Sequence, residues 1–436
     1  MRRLARHADG GQGLTLTTTG TLKSKIGIRR AFGLLMRRPD ARAAASVARP
    51  ADRVRIVGGA VRDAFLGKTG GDLDLAVPSG SAAKFAERLA ARAGTRVIAV
   101  GAAPRRILKV PFQGREIDVW EEEGGPEGDL LRRDFTVNAL AFELPGGTLV
   151  EAPGASEDLR RRILRPPRPG VFLEDPQRVL RAARFLSQLP GFRVASSALP
   201  EMKKAGRSLR KVSEERRLVE MDKLLAAPPK DRERALRFLE RVGALQSLIR
   251  SSAPPMRRGI SLVRRLESSD PRVARALLLF PLGPKRADDL LRRWKTSREE
   301  QRLAGRLLSL PLRRKGRGAP TRREVAELLR LSSPFPEESL SFLLAAGDAR
   351  VRDLAHAARR VARRPAALRR ILKPVRPLPL EEIRNALSLS EGPELGQALG
   401  ELDLALAAGE IRGVRAARAW LAARAGVGKR PSRLVP

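Results

Sequence analysis

Pro166-Pro167-Arg168-Pro169-Gly170 divides this chain into two stretches that cannot share one pattern of regular structure. Consecutive prolines remove backbone donors and push the residue before each ring out of the helical region, so regular elements end there. Before the break, short apolar runs alternate with glycine turns. After it, from Pro176 onward, almost every segment has helical spacing, cut by proline-containing joints at 228–229, 254–255, 334–336 and 374–379. At 436 residues the chain is too long for one ordinary core and predicts two to four domains. The expected class is α+β: an N-terminal mixed α/β head, then an elongated all-helical neck, body and tail. The expected boundaries are an arm at 1–50, a head at 51–165, a neck at 166–230, a body at 231–375 and a tail at 376–436.

Within the head, Val54–Val57 reads as a short strand closed by Gly58-Gly59, with a helix from Ala60 to Leu66. Leu73, Leu75 and Val77 alternate with Asp72 and Asp74, the period of a half-buried strand. Ser81–Ala93 is expected to be helical, and 96–100, 107–110 and 116–120 are strand candidates. The first fifty residues are rich in Lys and Arg, with Asp9 and Asp40 their only acids, and Thr15–Thr21 has no apolar period. They are expected to form a disordered basic arm.

Charge narrows the partners. Lys and Arg number 87 against 48 Asp and Glu, a net charge of +39. Such a field attracts polyanions and speeds their encounter. A coding bias toward Arg, Ala, Leu and Gly would not by itself unbalance the signs so far, and nucleic acid is the expected partner. The absence of cysteine excludes disulfides, thiolate zinc sites and cysteine nucleophiles, and is compatible with the reducing cytoplasm where the chain is expected to work. No apolar run reaches the roughly eighteen residues that a membrane helix needs.

Several residues carry chemistry. On a strand, Asp72 and Asp74 share a face, and two such carboxylates repel unless cations neutralise them. Mg²⁺ suits oxygen ligands of this kind, taking one or two carboxylates plus phosphate oxygens and water. Gly58-Gly59 lets backbone amides approach a phosphate at a helix start, although an ordinary tight turn needs the same residues. Arg62 lies in that first turn, where the helix dipole disfavours a cation unless an anion is bound nearby. Asp118, on a later strand candidate, can complete a three-carboxylate set or simply face solvent. In Arg132-Arg133-Asp134-Phe135-Thr136-Val137-Asn138, Arg133 can meet phosphates, Asp134 can orient an arginine, and Asn138 can hold a ribose hydroxyl or a loop.

Glu174-Asp175-Pro176-Gln177-Arg178 opens a helix, with Asp175 as N-cap and Pro176 at its first position. That does not account for Arg178, Arg181 and Arg184, which recur every three residues along one side. A carboxylate acceptor and a guanidinium donor can together meet a base's Watson–Crick edge. Asp175 would accept from the exocyclic amino group that cytosine and adenine carry and uracil lacks, while Arg181 and Arg184 hold phosphate or ribose.

With these residues in place, the chain resembles the class II tRNA nucleotidyltransferases, the CCA-adding enzymes, and their relatives the bacterial poly(A) polymerases. The resemblance rests on Gly58 through Asp63, Asp72-Leu73-Asp74, Arg132 through Ala139, Glu157-Asp158-Leu159 and Glu174-Asp175-x-x-Arg178, in the family's order across about 53–230. It implies a nucleotidyltransferase head with Asp72 and Asp74 as Mg²⁺ ligands. Gly59, Arg62 and Arg133 would hold the nucleotide, and Asp175 and Arg178 would template C and A. Val212 through Arg216 resembles the neck motif. Gly392 through Gly396 and Gly409-Glu410-Ile411 resemble tail helices that reach the tRNA elbow in this family. The implied substrates are the tRNA 3′ end, CTP and ATP.

Three departures stand out. The strand of Asp118 runs into Trp120-Glu121-Glu122-Glu123-Gly124-Gly125 rather than a Thr-Phe-Arg-like sequence. The segment from there to Arg132 is shorter than in CCA-adding relatives, a mark in this family of enzymes that add only CC. With His7 and His356 as the only histidines, an appended HD-type phosphohydrolase cannot be built. The expected activity is addition of CC or CCA. Poly(A) synthesis is the alternative, and a basic RNA-binding protein with a decayed head a further one. The sequence leaves the oligomeric state open.

Overall fold

The computed structural model describes residues 22–101, 106–250, 253–314, 316 and 318–427. They fall into two compact units, one running to Val212 with Val242–Ser247, the other Ser213–Arg241 with the chain from Leu248 onward. The division falls inside the stretch expected to be a neck.

The first unit opens on helices α1 (Leu22–Leu35) and α2 (Pro39–Val47). This corrects the expectation of a disordered arm for residues 22–50; Thr15–Thr21 lies outside the described residues. Ala31, Leu35, Ala41 and Ala44 are buried, and the Phe32 ring lies 5.4 Å from that of Phe142. Arginines interleaved with small apolar residues masked this amphipathic pattern. At the start of α2, Arg38 and Asp40 form a buried ion pair with a 2.6 Å contact.

A seven-stranded sheet follows, in the order β3-β4-β5-β2-β1-β6-β7. Its strands are β1 (Arg55–Val57), β2 (Leu73–Val77), β3 (Ile98–Val100), β4 (Ile107–Phe112), β5 (Arg115–Glu121), β6 (Leu140–Glu143) and β7 (Thr148–Glu151). Helix α3 (Gly59–Phe65) joins β1 to β2, and α4 (Ala82–Ala93) leads from β2 to the outer strands. β2 lies mid-sheet, with Leu73, Leu75, Ala76 and Val77 all buried, so it is covered on both faces rather than half-buried. β2 and β5 run parallel, with Asp74 opposite Asp118, and that pairing positions the site.

Between β5 and Arg132 the chain forms helix α5 (Gly125–Leu131). Leu130 anchors it in a cluster with Val57, Ala76, Ala139, Ala141 and Ala152. Buried Glu122, just before it, receives a 2.6 Å hydrogen bond from Arg55. The unit is completed by α6 (Ala155–Arg161), β8 (Ile163–Leu164), α7 (Val171–Glu174), α8 (Gln177–Gln188), β9 (Arg193–Val194) and α9 (Leu199–Arg207).

The regular elements of the second unit are all helices among its described residues, from Glu214–Leu225 to Gly413–Val427. Ser213 caps its first helix through Arg216 N. Not all of its arginines face outward: Arg275 is 1% exposed and bridges Asp222 at 3.0 Å and Glu300 at 2.6 Å. His356 is an exposed residue of the helix Ala349–Ala362. No described helix is long and apolar enough to cross a membrane.

Candidate active site

The site begins where β1 turns into α3. Gly58 has φ 72° and ψ −128°, a conformation closed to residues with a Cβ, and its N–H donates to Leu140 O at 3.1 Å. A Cβ built there would lie 3.3 Å from an Arg133 guanidinium nitrogen and 3.7 Å from Asp74 Oδ2. Glycine therefore lets backbone, arginine and carboxylate meet. Gly59 starts α3, with Arg62 Nη2 3.6 Å from where its own Cβ would stand.

Asp72 lies one residue before β2 and is exposed, so the pair of acids straddles the strand's entrance. Asp74 is half-buried. Burial, reinforced by Asp118 and Asp72 and opposed by Arg133 and Arg181, pushes its carboxyl up to about 6. Asp118 holds the facing position on β5 and receives a 3.2 Å contact from Lys109, which also contacts Glu116 at 2.6 Å. Arg133 is braced from below by Asp129 at 2.7 Å and lies 5.2 Å over the Trp120 ring. Among the described residues no group of three or more acids or histidines is placed to hold a metal by itself. Two carboxylates at an oxygen-rich site suit a hard cation that draws its remaining ligands from phosphate and water.

A second cluster joins the turn to α8. Arg62 is buried and donates to Asn138 Oδ1 at 2.6 Å and to Asp63 at 2.9 Å. Asn138 Nδ2 donates to Asp134 Oδ1 at 2.8 Å, and Arg181 Nε donates to Asp134 Oδ2 at 2.7 Å. Burial alone would raise Asp134, but Arg181, Asn138 and the Phe135 N–H together hold it below the usual carboxylate range. Asn138 thus bridges two site residues. Thr136 in the same turn is tied by its hydroxyl to buried Asp158 at 2.8 Å, so Glu157-Asp158-Leu159 braces the turn.

Helix α8 starts at Gln177, one residue later than expected, with Asp175 Oδ1 accepting from Gln177 N at 3.1 Å. Arg178 donates to Val171 O at 3.1 Å and Arg132 O at 2.8 Å, which ties the helix start to the Arg132-Arg133 segment. The sequence reading gave no role to Phe185. Its ring lies under three guanidiniums, Arg184 at 4.5 Å, Arg62 at 5.2 Å and Arg181 at 5.9 Å. A seventh residue after Arg178 at helical spacing was the available signal for that platform. Asp129 and Lys109 were also missed; Asp129, four residues before Arg133 on a helix, could have been found from the i,i+4 rule.

The second unit contributes a separate feature, which includes Gly409 and Ile411 of the tail segment singled out in the sequence. A groove of about 930 Å³ is lined by Arg322, Arg360, Arg364, Arg370 and Arg412 among apolar residues, with no acid in its lining.

A glycine turn over paired carboxylates on a mixed sheet defines a nucleotidyltransferase head, and residues 54–165 match the poly A polymerase head domain. In that head the chain is similar to the class II tRNA nucleotidyltransferases and bacterial poly(A) polymerases. It is 35% identical over 195 residues to the CC-adding tRNA nucleotidyltransferase of Shouchella clausii, covering 44% of this chain and 49% of that one. It is 32% identical over 266 residues to the CCA-adding enzyme of Geobacillus stearothermophilus, covering 58% and 65%. The A-adding tRNA nucleotidyltransferase of Aquifex aeolicus is 37% identical over 169 residues, 35% of this chain and 20% of that one. The matched regions thus span less than two thirds of these relatives. The fold is shared with the Thermotoga maritima CCA-adding enzyme complexed with tRNA, at TM-score 0.69, 20% identity, 92% of this chain and 98% of that one.

Proposed function

We propose that the chain is a template-independent RNA nucleotidyltransferase that extends the tRNA 3′ end with C, using CTP, and that ATP enters the same site where A is added. The observation that carries this reading is the convergence of Gly58, Asp74 and Arg133 within 4 Å of one point, beside Asp118. In the reaction the RNA 3′-oxygen bonds to the α-phosphorus, the bond to the bridging oxygen breaks, and pyrophosphate leaves. The hydroxyl proton passes to Asp118, the carboxylate beside Asp74. Gly58, Gly59, Arg62 and Arg133 grip the triphosphate, with Arg62 and Arg133 set by Asn138 and Asp129. Asp72 and Asp74 would hold Mg²⁺, which when bound neutralises charge on the attacking and leaving oxygens.

Asp175 and Arg178 would read the base edge, with Arg181 and Arg184 beside them on the Phe185 ring. The five-arginine groove of the second unit suits the phosphates of an RNA stem. We assign the same division of labour to the segments: catalysis to 51–165, base templating to 166–230, and RNA binding to 231–375 and 376–436. The cytoplasm is the compartment where such a substrate is met.

The product is read from α5. Where CCA-adding relatives carry a longer segment, this chain has a short helix held by buried Leu130 and by an Arg132–Glu123 ion pair of 2.7 Å. A segment anchored in this way suits a site that stops after CC. Single-nucleotide extension tests the whole reading. tRNAs ending before CCA, after C and after CC would each be offered CTP, ATP or both with Mg²⁺. Extension that halts at CC with ATP present is expected. Completion to CCA would overturn the product reading alone, and no incorporation by any tRNA would overturn the function.

A further inference from the structure

We propose that Arg38, which lies before the matched head, is a positioning residue for the metal-binding carboxylate Asp72. The proposal rests on the nucleotidyltransferase reading for its consequence and on the α1–α2 junction for its evidence.

Asp72 ends a turn that has little to hold it. Gly67, Gly70 and Gly71 lie between α3 and β2; Gly71 has φ +71°, and no atom stands within 4 Å of where a Cβ would be at any of the three. Glycine-rich turns lose the most backbone freedom on ordering. Arg38 supplies the anchor. Its Nη1 donates to Gly70 O at 2.8 Å and its Nη2 to Gly71 O at 2.9 Å. The Gly71 carbonyl belongs to the peptide unit whose nitrogen is that of Asp72, so this bond sets the plane from which Asp72 departs.

The guanidinium is itself fixed. Nε and Nη2 form a fork on Asp40 at 3.0 and 2.6 Å, and Asp40 Oδ1 accepts from Ala41 N at 2.8 Å. Arg38 is 5% exposed and Asp40 2%. A buried ion pair is commonly no more stabilising than an apolar pair of similar volume. What an apolar pair cannot supply is two donors aimed at consecutive carbonyls. Lysine cannot supply them either while also holding Asp40, because it lacks the planar fork.

The test uses two full-length variants. Arg38→Lys keeps a charge beside Asp40. Arg38→Met combined with Asp40→Leu removes the pair without leaving a buried charge. Mn²⁺ binding in the presence of a non-hydrolysable CTP analogue is followed by electron paramagnetic resonance, with Asp74→Ala as the control that lacks the site. Both variants are expected to bind Mn²⁺ about tenfold more weakly, the scale on which groups that orient metal ligands act. CTP KM should stay within about twofold while kcat falls about tenfold or more and recovers partly at high Mg²⁺. Wild-type Mn²⁺ affinity in both variants would overturn the proposal and leave Arg38 a purely structural residue. If the double variant does not fold, Arg38→Lys decides by the same two readings. Were the wild type to add no nucleotide to tRNA, the functional reading would fail, while the Mn²⁺ comparison would still decide whether Arg38 sets the site.

Discussion

Asp74 and Asp134 are both acids withdrawn from solvent in one unit, and their surroundings push them in opposite directions. Asp134 has its cation and donors built in: Arg181, Asn138 and the Phe135 N–H hold it low. Asp74 has burial and two neighbouring carboxylates that outweigh Arg133 and Arg181, and it is pushed up to about 6. One centre is complete within the chain. The other holds a desolvated carboxylate that has no hydrogen-bonded cation of its own among the described residues, and a cation from outside would stabilise its charged form. The difference teaches where structure ends and chemistry begins: a satisfied carboxylate braces, and an unsatisfied one binds.

The largest effect should come from removing the unsatisfied acid. Asp74→Ala should lower nucleotide addition by about 10³-fold or more, since metal-borne charge stabilisation accounts for several kcal/mol of the barrier. tRNA affinity, followed by fluorescence anisotropy, should change little. Retained activity would break the comparison at its root. Asp118 tests where the boundary lies, because Lys109 already contacts it at 3.2 Å. Asp118→Asn should cost about 10²-fold in kcat with CTP KM nearly unchanged, the scale of a positioned base. A loss under twofold would move Asp118 to the satisfied set.

How much of this could be read beforehand follows the same line. Gly58, Asp72 and Asp74 were legible as candidates because a glycine turn and two acids two residues apart are local patterns, and Arg133 because it stands in a string of charged and polar residues; the structure brings Gly58, Asp74 and Arg133 together. The Pro166–Gly170 break and the β1–α3–β2 order were legible from period and punctuation. The helices at 22–47 were not, because interleaved arginines hid their buried Ala31, Leu35, Ala41 and Ala44. β6 was missed because Leu140, Ala141 and Phe142 are all buried and give no alternation. The Arg62–Asn138–Asp134–Arg181 chain joins residues far apart in sequence, which spacing cannot reveal. The arginine groove of the second unit is likewise assembled from residues between 322 and 412.

Acidity separates the two centres without mutation. Asp74 is raised above its ordinary value, so it keeps a proton that the unfolded chain has already given up. Its ionisation therefore counts against the fold as pH rises through about 6, and a cation must displace that proton below this value. Mn²⁺ affinity should weaken by about tenfold per pH unit from 6 toward 5 and level off above 7. In Asp74→Asn, whatever weak Mn²⁺ binding remains should show no such slope. Asp134 is lowered, so its contribution to stability is fully present over the same interval and is lost only as pH falls through its depressed value. A stability profile that dropped between pH 7 and 5 through Asp134 would contradict its assignment as a satisfied acid.

The smallest effect on chemistry should come from Asp134 itself. Asp134→Ala removes the acceptor of three hydrogen bonds and leaves Asn138 without the group that orients its amide. Arg181 is partly exposed and can rehydrate, which limits the loss to about 2 kcal/mol of stability. The melting temperature should fall while Mn²⁺ affinity stays near wild type, because Arg181 acts on Asp74 only as the last and weakest of its charged neighbours. CTP KM should rise several-fold, since Arg62 depends on Asn138 for its direction at 2.6 Å. If instead Mn²⁺ affinity fell in step with stability, the two acids would form a single centre, and their opposite shifts would be the two ends of one electrostatic balance.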